Sequence, residues 1–362
     1  MSVGQSPVRH DAAPKADGSM EYAGDAVANN ALHAVIVFSG KPHARMLSMS
    51  TDATRAVTGV VDVITARDAP VNEYGLTMSD QPALVGVDHT GVAGVDGAIS
   101  RWEADQIAVV IGETRAAASA GAAALEVDWE DLPPVGSIDD ALAADAPLLH
   151  PENGLPTNAY NPLKIRKGDL AAGWAEADIV IDDTYMVPHQ EHAYLQPEAG
   201  TAYIDDEGRV TIEGGGQWTS EDRAQVAHVL GLPDEQVRII YKAIGGAFGG
   251  KEDMSIQIVL GLAAMRLAER GEHRPVHCRW SRGESIVGHH KRHRGQIHVR
   301  LGATNNGIIT ALEADVTLDA GAYNYTSNKV LGNTHLSVGG SYRVPNARIA
   351  SRVVYTTTVP CG

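Results

Sequence analysis

The segment Gly245-Gly246-Ala247-Phe248-Gly249-Gly250-Lys251-Glu252 lies between two stretches of different periodicity and constrains this chain more than any other feature. Before it, Gln236 to Tyr241 carries Val237, Ile239 and Ile240 and predicts a strand. After it, Ile256, Val259, Leu260, Ala263, Ala264 and Leu267 recur at helical spacing, with Gly271 as a C-terminal stop. Four glycines in six residues let backbone N–H groups approach a ligand closely. A following helix end favours negative charge. The expected guest is anionic or oxo-rich.

Three readings compete for the loop. Gly245, Gly250 and Lys251 match the phosphate-loop pattern G-x-x-x-x-G-K, but Glu252 stands where Ser or Thr supplies a magnesium-binding hydroxyl. A dinucleotide fingerprint fails at Ala247, where a second glycine is required. The third reading is a tight turn with no ligand.

Upstream, Glu213-Gly214-Gly215-Gly216-Gln217-Trp218-Thr219-Ser220 leads into a short helical pattern that stops at Gly231-Leu232-Pro233. Together with the strand and the glycine loop, this order resembles the molybdenum-binding subunit of the xanthine dehydrogenase and aldehyde oxidase family. The resemblance continues at Arg9-His10-Asp11, at Pro42 to Leu47 and at Gly59 to Val63. Later landmarks are His189 to Glu198 and Trp280 to Ser285, so it runs along nearly the whole chain.

The resemblance implies an α+β fold. Residues 1–155 would form a hammerhead-like α/β domain, and residues 156–362 the first half of a molybdenum-cofactor-binding domain. It implies a cofactor of molybdopterin or molybdopterin cytosine dinucleotide type, held by Gln217 and by Gly245, Gly246, Ala247, Phe248, Gly249 and Gly250. The matching glutamine of the family hydrogen-bonds an oxygen ligand of molybdenum. Phe248 is expected to anchor the loop in the core while its backbone faces the cofactor. Glu252 matches a glutamate of purine-oxidising members, and its other reading is a cap on the following helix. Gln217 and Glu252 are thus the candidate catalytic residues. An arginine of xanthine-oxidising members would fall near Asn333, where none stands.

The implied reaction is hydroxylation of a purine or related N-heteroaromatic carbon, with water as oxygen source. Aldehyde oxidation by the same family, a phosphate-loop nucleotide-binding protein and a non-catalytic assembly subunit are the alternatives. The family would continue past Val359-Pro360-Cys361-Gly362 into a second half carrying its catalytic glutamate. A second chain completing the molybdenum site is therefore expected, or else the sequence is a fragment.

Composition narrows the partners. A formal charge of −16 argues against nucleic acid and anionic membranes. The basic run His289-His290-Lys291-Arg292-His293-Arg294 is expected to be part of a solvated strand face, alternating onward with Gln296, His298 and Arg300. The histidines show no zinc spacing and read as solvated or hydrogen-bonded structural groups. Two cysteines, Cys278 and Cys361, fit a reducing, cytoplasmic compartment. They cannot hold a four-cysteine iron–sulfur cluster, so [2Fe-2S] clusters and FAD are expected on partner subunits. No run approaches the roughly 20 apolar residues of a membrane span. Residues 150–162, rich in proline, read as a linker.

Overall fold

A computed structural model describes residues 3–87, 96–252 and 254–362. The fold is α+β, built on three sheets. The largest has seven strands in the spatial order Val237–Tyr241, Val210–Gly214, Ala199–Ile204, Val276–Arg279, Leu32–Phe38, Gln106–Gly112 and Val60–Thr65. Leu32–Phe38 runs parallel to Val276–Arg279, with Leu32 opposite Val276 and Ala34 opposite Cys278. Strands from the first 155 residues and from the remainder therefore share one sheet. They also share one core, in which Leu32, Ile64 and Ile111 pack with Ile212, Leu260 and Val276.

The continuous apolar run Ile107 to Ile111 is buried on both faces, as expected of an interior strand. The helix Gln257–Glu269 buries Ile258, Val259, Leu262 and Ala263 and packs on Ala199–Ile204 and Val210–Gly214. An apolar helix of this kind contributes about 1.5–3 kcal/mol per large side chain removed from water. The helix Thr219–Leu230 covers Val237–Tyr241 and ends at left-handed Gly231, φ 64°.

A second sheet runs Ala159–Lys167, Ala347–Tyr355, Ile309–Gly321, Arg294–Ala303 and Ile179–Val187. The linker reading of 150–162 holds only in part. Pro151–Asn153 is a 3-10 turn closed by Gly154, but Ala159 to Pro162 already belong to an edge strand. An edge position tolerates Pro162, because its missing N–H costs no interior hydrogen bond. The third sheet joins Ile99–Ser100, Ala44–Ser50 and Glu126–Asp131.

The basic run overturns its expectation. His289, His290, Lys291 and His293 are buried, and the strand begins only at Arg294. Lys291 Nζ meets Glu191 at 2.6 Å and donates to the carbonyls of Ile286 and His289 at 2.7 and 2.8 Å. A buried ammonium survives only with such partners. Among the described residues, no helix is long and apolar enough to cross a membrane.

Candidate functional site

Val210–Gly214 and Val237–Tyr241 are adjacent parallel strands, with Gly214 opposite Tyr241. In sheets of this kind, ligands gather where loops leave the carboxyl ends of the strands. The first such loop, Gly215 to Trp218, carries Gln217. The second, from Ala243 to Glu252, carries the glycine segment. The two loops meet: Gln257 Nε2 donates to Gly215 O at 3.4 Å, and a Cβ on Gly215 would lie 3.8 Å from Lys251 Cδ. Tyr241 Oη accepts from Trp218 N–H at 3.1 Å and donates to Asp222 at 2.7 Å, bracing the first loop. A Cβ on Gly216 would stand 2.5 Å from Tyr241 Cζ, so only glycine fits there. Gln217 is exposed, and its amide bonds no other described residue.

Within the second loop, Gly250 N–H donates to Ala247 O at 2.8 Å and closes a tight turn. Both central residues have positive φ, 54° at Phe248 and 93° at Gly249, as in a primed turn. A left-handed backbone costs a residue such as phenylalanine about 1–2 kcal/mol. Among the described residues, the N–H groups of Ala247, Phe248 and Gly249 donate to no acceptor. Turns that present successive free N–H groups are anion- and oxygen-binding concavities.

Phe248 does not anchor the core, contrary to expectation: it is 77% exposed. The space beneath the turn is already filled, since a Cβ on Gly250 would lie 2.5 Å from Tyr194 Cε1 and 3.0 Å from His192 Cγ.

Lys251 excludes the phosphate-loop reading. Its ammonium is buried, donates to Gln196 O at 2.9 Å and Oε1 at 3.1 Å, and lies 4.5 Å over the Tyr194 ring. Desolvation lowers its pKa to about 8, against the opposing pull of Glu198. Gln196 Oε1 also accepts from Gly245 N–H at 2.7 Å, so the lysine staples the loop instead of reaching for phosphate. The helix starts only at Gln257, with Ile256 as N-cap and no acidic residue in its first turn. Glu252 therefore does not cap it. Glu252 is half-buried and bonds no other described residue.

Under the loop sits a buried polar cluster that sequence reasoning treated only as structural histidines. Tyr194 Oη donates to Glu198, whose carboxyl burial pushes up. Burial, with Lys291 nearby, pushes the His289 imidazole down to about 4. His192, His289 and His290 face one another at centroid separations of 5.6 to 5.9 Å. The density of titratable residues in His189 to Glu198 was the available signal.

Residues 149–362 match the molybdopterin cofactor-binding domain, and residues 17–133 match the aldehyde oxidase and xanthine dehydrogenase a/b hammerhead domain. The chain belongs to the xanthine dehydrogenase and aldehyde oxidase family of molybdenum hydroxylases, as its molybdopterin-binding part. It is 32% identical to the nicotinate dehydrogenase large molybdopterin subunit of Eubacterium barkeri, over 99% of this chain and 80% of that one. It is 31% identical to a probable xanthine dehydrogenase component of Bacillus subtilis (strain 168), over 99% of this chain but 45% of that protein. The solved aldehyde oxidoreductase from Desulfovibrio gigas superposes with a TM-score of 0.89 at 27% identity, covering 98% of this chain and 38% of that one. The chain thus spans most of the first relative and less than half of the other two.

Proposed function

We propose that this chain supports a molybdenum cofactor that hydroxylates a carbon beside a ring nitrogen, in a purine, a pyridine carboxylate or a related N-heteroaromatic, with water as oxygen source. The observation that carries the reading is the turn Ala247–Gly250, whose N–H groups at Ala247, Phe248 and Gly249 donate to no described acceptor, on the loop that follows one of two adjacent parallel strands while Gln217 follows the other. Such donors suit an oxo-bearing or anionic group, and no described side chain competes for them. The cofactor, when bound, supplies the metal chemistry of oxygen transfer and two-electron uptake.

The residues of the chain bind and orient. The turn N–H groups support the cofactor from one side. The exposed Gln217 amide would donate to an oxygen of the bound cofactor and help to orient it. Glu252, which bonds no other described residue, would hydrogen-bond the ring nitrogen of the substrate, where charge accumulates during attack. Nicotinate and xanthine dehydrogenases among the relatives support this substrate class.

Phe248 and Leu195 stand 77% and 88% exposed, and both the Bacillus subtilis relative and the Desulfovibrio gigas chain are more than twice as long as the matched region. Both facts support completion of the site, and its general base, by protein outside these 362 residues. Iron–sulfur clusters and FAD would reside on partner subunits of a cytoplasmic complex. The fold likeness to an aldehyde oxidoreductase keeps aldehyde oxidation as the second reading.

The test is elemental analysis of the complex purified through this chain, with turnover on nicotinate, hypoxanthine and an aromatic aldehyde. Stoichiometric molybdenum with heteroaromatic turnover is expected. Aldehyde turnover alone would favour the second reading, and absence of molybdenum would leave a non-catalytic assembly subunit.

A further inference from the structure

We propose that His290, locked by Tyr325, is the positioning residue that sets the Phe248–Gly249 turn; the proposal rests on that turn being a cofactor support. Tyr325 Oη lies 2.6 Å from His290 Nδ1, and His290 Nε2 lies 3.2 Å from Gly249 O. A carbonyl can only accept, so Nε2 carries the proton. Nδ1 is then an acceptor, and the Tyr325 hydroxyl donates to it. One neutral tautomer satisfies both contacts. Burial, with His289, His192 and Lys291 alongside, disfavours a charged His290 ring.

The consequence for the turn is geometric. The Gly249–Gly250 peptide is planar, with its C=O and N–H pointing in opposite directions. Its carbonyl is held by His290 and its N–H by Ala247 O at 2.8 Å. With both ends of one plane fixed, the turn cannot flip, and the preceding N–H groups stay aimed outward.

Strain converges on the same place. The described non-glycine residues with positive φ are Asn161, Ala193, Phe248 and Tyr325. Three of these four belong to this assembly: Phe248 in the turn, Tyr325 at the lock, and Ala193 between the His192 and Tyr194 rings that wall Gly250. Such conformations cost on the order of 1–3 kcal/mol each and persist where surroundings over-determine them. The base under His290 is equally constrained. Lys291 N–H donates to Pro360 O at 3.1 Å, and Gly362 N–H donates to Lys291 O at 3.0 Å. Asn324 N–H donates to Asp80 at 2.7 Å, fixing the chain beside Tyr325.

The test compares His290→Asn, His290→Gln and Tyr325→Phe in the complex purified through this chain. Asparagine keeps a polar atom near Nδ1 but falls short of Gly249, whereas glutamine carries its amide nitrogen close to the position of Nε2. Readouts are hydrogen exchange over residues 243–252, molybdenum per chain, kcat and KM. His290→Asn and Tyr325→Phe should each raise exchange there, and lower kcat, by roughly tenfold, the equivalent of one hydrogen bond, with KM and molybdenum content nearly unchanged. His290→Gln should restore most of both. Unchanged exchange in the Asn and Phe variants, equal impairment by Asn and Gln, or a rise spread over the whole chain would overturn the proposal. Should His290→Asn fail to assemble, Tyr325→Phe decides, because it keeps the ring and removes only the hydroxyl. Exchange is read without molybdenum, so a metal-free complex would sink the proposed function while leaving the positioning test intact.

Discussion

Tyr323 contacts both carboxylate oxygens of Asp105 through its single hydroxyl, at 2.9 and 3.0 Å. Both residues are buried, and the bond ties the segment matched at 17–133 to the segment matched at 149–362. The backbone N–H groups of Arg101 and Trp102 donate to the same carboxylate at 2.6 and 3.3 Å, and the Ser100 hydroxyl at 3.3 Å. Desolvation still pushes the carboxyl up to about 6, so its ionisation costs stability that is retained below pH 3.8 and lost as pH rises through 6. The tyrosine offsets part of that cost. Tyr323→Phe should therefore destabilise the protein by about 1.5–3 kcal/mol above pH 6, and by less at pH 5, where the carboxyl is mostly protonated. Urea midpoints at pH 7.5 and pH 5 check this, and equal losses at both would remove the charge from the explanation.

Gln217→Ala should lower turnover by about 10² to 10³ while molybdenum content stays near wild type. The side chain has no other described residue to support, so stability should not change. A fully loaded, fully active variant would retire the assignment.

For Glu252→Ala, kcat/KM on N-heteroaromatics should fall about ten- to a hundredfold, the worth of one charge-assisted hydrogen bond, with aldehydes much less affected. Because the following helix is capped at Ile256, the melting temperature should hold. Equal losses on both substrate classes would argue that the carboxyl never meets a ring nitrogen.

Two glycine substitutions should move stability in opposite directions. Gly250→Ala pushes a methyl toward the fully buried Tyr194 ring and should cost about 1–3 kcal/mol. Gly332→Ala, inside the helix Ser327–Ser337 with nothing within 4 Å of the added carbon, should stabilise by about 0.5–1 kcal/mol. Thermal melts of both variants measure the pair, and a stable Gly250→Ala would show that the turn has slack.

Much of this architecture was legible in the chain because local signals governed it. The strand before the glycine loop, the helix after it and the stop at Gly231 follow from periodicity and one left-handed glycine. What local pattern could not show was long-range pairing. Nothing near Lys291 announces Glu191, a hundred residues earlier, so a buried ion pair looked like a wet basic face. Phe248 looked like a core anchor because aromatic residues usually are, whereas its position in a primed turn follows from the φ values and from Tyr194 occupying the space below. A helix cap stayed open as the second reading of Glu252 because the helix start, at Gln257, could not be placed from the sequence to within four residues. Gln217 and the glycines were found through their motifs. His290 and Tyr325 carry no motif, and only their distances reveal them.

The seven-stranded sheet bears on how such a protein can change over generations. Three of its strands come from the hammerhead segment and four from the cofactor-binding segment, two blocks joined at the single seam of Leu32–Phe38 with Val276–Arg279. A chimera exchanging residues 17–133 for those of a relative would import three strands shaped against a different neighbour, and with them about a third of the shared core. Whatever the boundaries of the two sequence families, a substitution on either side of this seam presses on the strand across it, so the two segments are coupled through one sheet and one core.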